Sequence, residues 1–344
     1  MAFDPHAEDF QRLGLRYART LDASDPFGAA RAFSAFGRRF AQNRDALPQS
    51  DGDRAFHLVA RATDLIDYQL PFAADEGCQS LIDEARHLLG EALELDPKCH
   101  DATRMLAAAE MPSFEEYYRF LVDGEDEVRI SCEQEADKLD VEDPEGMRLA
   151  RELVMRPYAR WLATEASRAL ICGRYRRCVK TSLQLLEHDP DDNADVRFTL
   201  ALAYAKLEDE KALEDLVARE RRDHGSPDTA WFALARLAMA HKRCDTAAAR
   251  NIVQGILRNY PHAGLTLDRQ DELPDGVYAR LAVEPFSEDE LILAVSEAAV
   301  LLQEGRDAHD QGSLGAWLVH QPEVAKASRR DRAEIPGAQE GDRS

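Results

Sequence analysis

Residues 171–192 read ICGRYRRCVKTSLQLLEHDPDD: two cysteines six positions apart, a cluster of basic residues, then a run of acids. A metal or redox site, an anion-binding patch and a single structural repeat would each account for such a stretch, and the spacing favours the repeat. Extended back to 159, the segment sets Ala166 and Ala169 where two helices would cross. Gly173 makes the turn with Tyr175 beside it, Leu185 and Leu186 fall on the packing face of a second helix, and Pro190 closes it. Small residues at helix crossings and a closing proline over 34 residues are the marks of a helical-hairpin repeat. Cys178 then takes a small-residue position, and packing accounts for it.

Working outward, residues 193–226 continue without a gap, with Ala203, Ala212 and Leu216 in register, although the turn glycine and closing proline are missing. After a three-residue insertion, 230–263 repeats the pattern through Leu237, Ala240, Ala249, Val253, Ile256 and Pro261. Upstream, CQSLIDEARHLLGEALELDP places Ala85, Leu89, Ala92, Leu93 and Pro97 on the same template behind an apolar helix over 53–70, which makes a fourth unit. Apolar residues recur at three and four nearly everywhere and alternating β-branched runs are scarce, so the chain is expected to be all-α. Ser113 with Glu116, Ser287 with Glu290, and Asp143 before Pro144 predict helix starts near 114, 288 and 144.

These repeats resemble the tetratricopeptide (TPR) pattern. The stretch RPYARWLATEASRALICGRYRRCVKTSLQLLEHDPDDNADVRFTLALAYAKL is similar to a group of uncharacterised bacterial TPR proteins. NYPHAGLTLDRQDELP with the later GSLGAWL resembles the C-terminal half of the suppressor-of-tumorigenicity-seven family, through Pro261-His262, Leu267, Leu273-Pro274 and Gly315-Ala316-Trp317-Leu318. The likeness covers about 156–318, without the membrane segments of the eukaryotic members and without the tyrosine expected near Thr266. It implies a TPR-like α-solenoid and carries over no catalytic residue.

Composition narrows the function. With 43 Lys and Arg against 65 Asp and Glu, the net charge of −22 repels nucleic-acid phosphates and anionic membranes. Six cysteines without a CxxC pair read as reduced thiols in a cytosol. The first residues, MAFDPHAEDF, lack the basic and apolar regions of a secretory signal. A cytoplasmic protein is therefore expected, with no nucleic-acid partner and no membrane.

Chemistry-bearing motifs are few. Arg174, Arg176, Arg177 and Lys180 would lower a nearby thiol's pKa, but Cys172 ends one helix and Cys178 packs in the next. DPDDNAD holds the first calcium-loop spacings at Asp189, Asp191 and Asn193, yet Ala194 and Leu200 stand where the loop needs glycine and glutamate. Histidines are scattered without HExxH spacing, and GxSxG, P-loop and strand-linked GxGxxG patterns are absent. No metal, cofactor or catalytic residue is assigned.

Recognition remains. In a TPR-type stack the first helices line a concave groove, and its positions here hold Arg160, Arg197, Phe198, Tyr204, Trp231 and His241, a mixture of guanidinium and aromatic groups. The Lys and Asn of the carboxylate clamp are replaced by Ala163, Ser167, Phe198, Trp231 and Ala235. The groove is expected to bind a peptide or helix bearing apolar and acidic residues, unless Phe198 and Trp231 fill the core between repeats. Phe33, Phe36 and Phe40 mark a helix in 1–50 that either caps the array or docks into a partner or a second copy.

The segments expected are this N-terminal helical region (1–50), a helical hairpin with an acidic helix (51–155), the repeats with C-terminal helices (156–320) and a disordered tail (321–344). The acidic block 101–155 carries 16 acids against 6 bases, with Phe114, Tyr117, Tyr118 and Leu121 on one apolar face. The function read from the sequence is a non-catalytic protein-interaction module, with self-association left open. A regulatory or accessory subunit of an enzyme complex, or an enzyme of unrecognised type, is the alternative.

Overall fold

A computed structural model of the chain describes residues 4–22, 24–224, 229–270, 283–305 and 312–334. Among these residues the regular structure is helical, without strands. The chain divides into two compact units, Ala2–Glu165 and Ala166–Ser344, and the division falls within one helix instead of before residue 156. Among the described residues no helix is long and apolar enough to cross a membrane.

The N-terminal unit holds α1 (Pro5–Ala18), α2 (Pro26–Asn43), α3 (Asp51–Thr63), α4 (Asp75–Leu95), α5 (His100–Glu110), α6 (Phe114–Ala136) and most of α7 (Pro144–Ile171). Start signals in the sequence act as read. Ser113 accepts from the Glu116 N–H, and Asp143 accepts from the Gly146 N–H beside Pro144 at the first turn of α7. The expected helix over 53–70 is α3 continued by a π-helical turn, Asp64–Gln69. It packs on α4 through Ala55, Val59, Ala62, Ala85, Leu89 and Ala92, the pair of the fourth sequence unit. Phe36 is buried and Phe33 and Phe40 pack beside it against Phe10, Leu13 and Tyr17 of α1, so this aromatic face is spent inside the α1–α2 hairpin. Pro157 inside α7 has no N–H for the Leu153 carbonyl, and the Arg12 guanidinium donates to that orphan oxygen at 3.3 Å.

The C-terminal unit runs α8 (Tyr175–His188), α9 (Val196–Leu207), α10 (Glu210–His224), α11 (Ala230–Lys242), α12 (Thr246–Asn259), α13 (Ala263–Asp268), α14 (Glu288–Glu297), α15 (Ala299–Leu302), α16 (Ser313–Val319) and α17 (Pro322–Glu334). Neighbouring helices pack in chain order, and α9 also lies against α11. The small residues named from the sequence sit at these contacts: Cys178, Ala203, Ala249 and Val253 are fully buried. The turns into α8, α10 and α12 each contain a left-handed residue, Gly173, Glu208 and Cys244, recurring about 35 positions apart. Only the first is glycine, so the turns of the second and third units carry no glycine signal in the sequence.

Left-handed backbone costs a residue with a β-carbon about 1–2 kcal/mol. Glycine offsets part of that relief, about 0.5–1 kcal/mol, through its greater unfolded-state entropy. Glu208→Gly and Cys244→Gly should therefore each stabilise the protein by about 0.5–1 kcal/mol, read as a higher urea midpoint. The Glu208–Lys242 pair lost in the first variant is long, 3.6 Å, its Glu208 side is exposed, and Lys242 keeps Glu304 at 3.2 Å, so it subtracts little.

The C-terminal segment departs from expectation. Residues 322–334, expected within an unstructured tail, form α17 and pack against α13 with Val324, Ala327, Ser328 and Asp331 buried. Few large apolar residues are needed because the backbones come close: a β-carbon on Gly264 would lie 2.4 Å from the Ser328 nitrogen. Asp331 accepts from the Leu265 N–H at 3.2 Å, and Ser328 and Arg332 both donate to Asp268. Of the motifs carrying the family likeness, Leu267 and Leu318 are fully buried, whereas Leu273-Pro274 lies outside the described residues.

Candidate functional site

The residues expected to line a groove do not share one environment. Arg160 belongs to the N-terminal unit, where it sits in a buried ion cluster. Its guanidinium donates to Asp101 Oδ1 at 2.7 Å and Oδ2 at 2.5 Å and to Glu8 Oε2 at 2.6 Å. Arg12 also donates to Glu8 at 2.7 and 2.9 Å and stacks on Phe56, 4.3 Å from its ring centre. Burial alone would raise the carboxyl pKa values of Glu8 and Asp101, but the arginines, Arg160 first, outweigh it and hold both below the ordinary carboxylate range. Arg160 is committed to holding helices together through Glu8 and Asp101.

In the C-terminal unit, Phe198 and Trp231 stack with ring centres 4.2 Å apart and planes 11° from parallel. They are 6% and 3% exposed, so they fill the core between α9 and α11, the second of the two roles the sequence allowed. The Trp231 indole N–H donates to Glu297 at 2.7 Å. Arg197 covers the outer side of Phe198, its guanidinium 4.4 Å from the ring centre, with Asp195, Asp192 and Glu220 at 2.8, 2.9 and 3.3 Å. Burial alone would lower its pKa, but Asp195 and Asp192 outweigh it and hold the guanidinium above its ordinary range. Asp192 also accepts from the first N–H groups of α9, at Val196 and Arg197, and Asp189 accepts from Asn193. Asp189 and Asp192 of the calcium-like DPDDNAD stretch are thus occupied as turn and helix-start acceptors, while Asp191 is exposed.

Tyr204 and His241, the remaining groove residues, are half-buried, as Arg160 and Arg197 are. His241 leans on Trp317, 5.5 Å between ring centres, and burial holds its pKa below the ordinary value. Beside it is a cavity of about 500 Å³, bordered by Lys242, Glu208, Glu304, Leu301 and Leu314. The three charged groups there pair among themselves, Lys242 with Glu304 at 3.2 Å and with Glu208 at 3.6 Å.

A second cavity, about 650 Å³, was not foreseen. It lies within the N-terminal unit where the start of α5, the length of α6 and Trp161 of α7 meet. Phe120 and Trp161, 5.5 Å apart, border it together with His100, Ser131, Lys98 and Glu127. Gly124 makes this geometry. A β-carbon there would stand 2.8 Å from the Trp161 ring, so its absence lets the indole cross α6 and donate to the Leu121 carbonyl at 2.8 Å. Because that indole is 2% exposed and hydrogen-bonded, Gly124→Ala should cost about 1–3 kcal/mol in a denaturant titration. No local signal could have exposed this cavity, since its walls come from segments as distant as Pro97 and Trp161.

Cys178 is buried in α8 and Cys172 half-buried beyond α7, both as free thiols. Among the described residues no group of three or more His, Cys, Asp or Glu is arranged to hold a metal ion. The chain matches no protein-family model, no curated protein and no solved structure at a significant level.

Proposed function

We propose that the chain is a TPR-like α-solenoid acting as a non-catalytic protein-interaction module, with its partner surface on the C-terminal unit around Tyr204 and His241. The observation that carries this reading is the repetition of α8 to α12: helical hairpins turned by left-handed residues about every 35 positions, with the first helices α9 and α11 side by side. The Phe198–Trp231 stack joins those first helices and is the platform beneath the surface, not the surface itself. A peptide or helix bearing apolar residues suits the apolar border of Leu301 and Leu314 beside the neutral His241 ring, and an acidic residue would compete with Glu304 and Glu208 for Lys242. The likeness to TPR proteins and to the suppressor-of-tumorigenicity-seven family supports the architecture and names no ligand.

The test is affinity purification from the source cell with the native chain and with a Tyr204→Glu/His241→Glu double variant. Both positions are half-buried, so the variant is checked for helical circular dichroism first. A stoichiometric protein retained by the native chain and lost by the folded variant supports the reading. Equal retention by both removes this surface from consideration.

A further inference from the structure

We infer that the outward face of α2 docks onto α6 of a second copy of this chain. Helix α2 carries Arg31, Arg38 and Arg39 and no acid, in a chain with 65 acids against 43 bases. With Phe36 and Phe40 turned into the α1–α2 hairpin, the helical period puts Phe27, Arg31, Ser34 and Arg38 on the opposite side. All four are exposed, Phe27 to 82%. Among the described residues neither Arg31 nor Arg38 makes an ion pair. The acids that precede the helix are committed locally: Asp22 accepts from Ser24, and Asp25 from the Gly28 N–H. An exposed aromatic ring beside unpaired guanidinium groups has the composition of an interface anchor.

Charge complementarity selects the occupant. Helix α6 holds eight acids against two bases, Arg119 and Arg129. Arg119 pairs with Glu115, and Arg129 with Asp126 and Glu133, which leaves Glu116, Asp123 and Glu127 exposed outside those pairs. These three share the outward stripe of α6 with Ile130, 44% exposed, while Tyr117, Leu121, Val128 and Cys132 are buried on the other side.

The spacings match as well. Arg31 and Arg38 are seven residues apart, as are Glu116 and Asp123, which is two turns or about 10 Å along either helix. Laid antiparallel, Arg31 meets Asp123 and Arg38 meets Glu116, and Phe27 then falls within one turn of Ile130. The net charge of −22 opposes association at long range, but at about 0.15 M salt the screening length is about 8 Å, so whole-chain repulsion is damped while charges in contact still attract. Because α2 and α6 are unlike surfaces, the contact is head-to-tail.

Sedimentation velocity on the full chain at about 0.15 M salt and up to about 200 μM should show association that grows with concentration. Arg31→Glu/Arg38→Glu and Asp123→Arg/Glu127→Arg should each weaken it at least tenfold with circular dichroism unchanged, since all four residues are exposed. An equimolar mixture of the two variants should restore association, because the intact α6 of the first meets the intact α2 of the second. A native chain that stays monomeric would leave α2 to a different, acidic partner and overturn the inference. Association kept by either variant, or a mixture that stays monomeric, would overturn it too. Should either double variant not fold, Phe27→Ser decides: weaker association supports the contact, and unchanged association contradicts it.

Discussion

Replacing Arg160 by leucine should destabilise the protein by about 3–5 kcal/mol at pH 7, because it strands two buried carboxylates. Glu8 and Asp101 are 0% and 2% exposed, and Arg160 supplies the shortest contacts to both. Asp101 would keep Arg104 at 3.5 Å, and Glu8 would keep Arg12 and Arg156. The pH dependence gives the loss a signature. In the native chain both carboxyls are held below the ordinary range, so their contribution is fully present above the unfolded carboxylate pKa of about 4 and is lost as pH falls through the lower native values. Without Arg160 the buried carboxyls would titrate higher, and protonation would relieve the variant. The stability gap between native chain and variant should therefore narrow between pH 7 and pH 4.5, measured as urea midpoints. A gap that is constant or widens would mean that the cluster contributes through packing and not through charge.

Trp231→Ala should also cost about 3–5 kcal/mol, the range for emptying a buried aromatic site. The substitution removes the ring stacked 4.2 Å from Phe198 and leaves Glu297 without the indole N–H. Trp231→Phe keeps the stack and loses the hydrogen bond, so its cost should be nearer 1 kcal/mol. Both are read from urea unfolding. Equal and small effects would mean that the pair is not the joint between α9 and α11.

How much was legible in the sequence depends on how local the cause is. Ser113, Ser287 and Asp143 announced α6, α14 and α7 because a cap and its N–H lie within four residues of each other. The small-residue rhythm of α8 to α12 was legible for the same reason, since crossing helices demand it at fixed spacing. Glu208 and Cys244 hid two turns, because nothing about either residue advertises a left-handed backbone. Segment 322–334 looked too polar to fold, yet Gly264 and Ala327 let α13 and α17 meet without large side chains.

The candidate site was harder to read, because its causes are distant in sequence. Arg160 falls at a groove-facing position of the repeat template, but its partners are Glu8 and Asp101, which no local pattern connects to it. Phe198 and Trp231 left two roles open, and their burial decides for the core. The cavity along α6 carried no mark, because its border is drawn from the start of α5, from α6 and from Trp161 of α7.

Hydrogen exchange on the full chain tests the hairpin stack most directly. Protection should come in pairs, α8 through α12 slow, broken by fast exchange around Gly173, Glu208 and Cys244, with α17 protected against α13. Uniformly fast exchange across α9 and α11, or slow exchange running unbroken through those three turns, would contradict it.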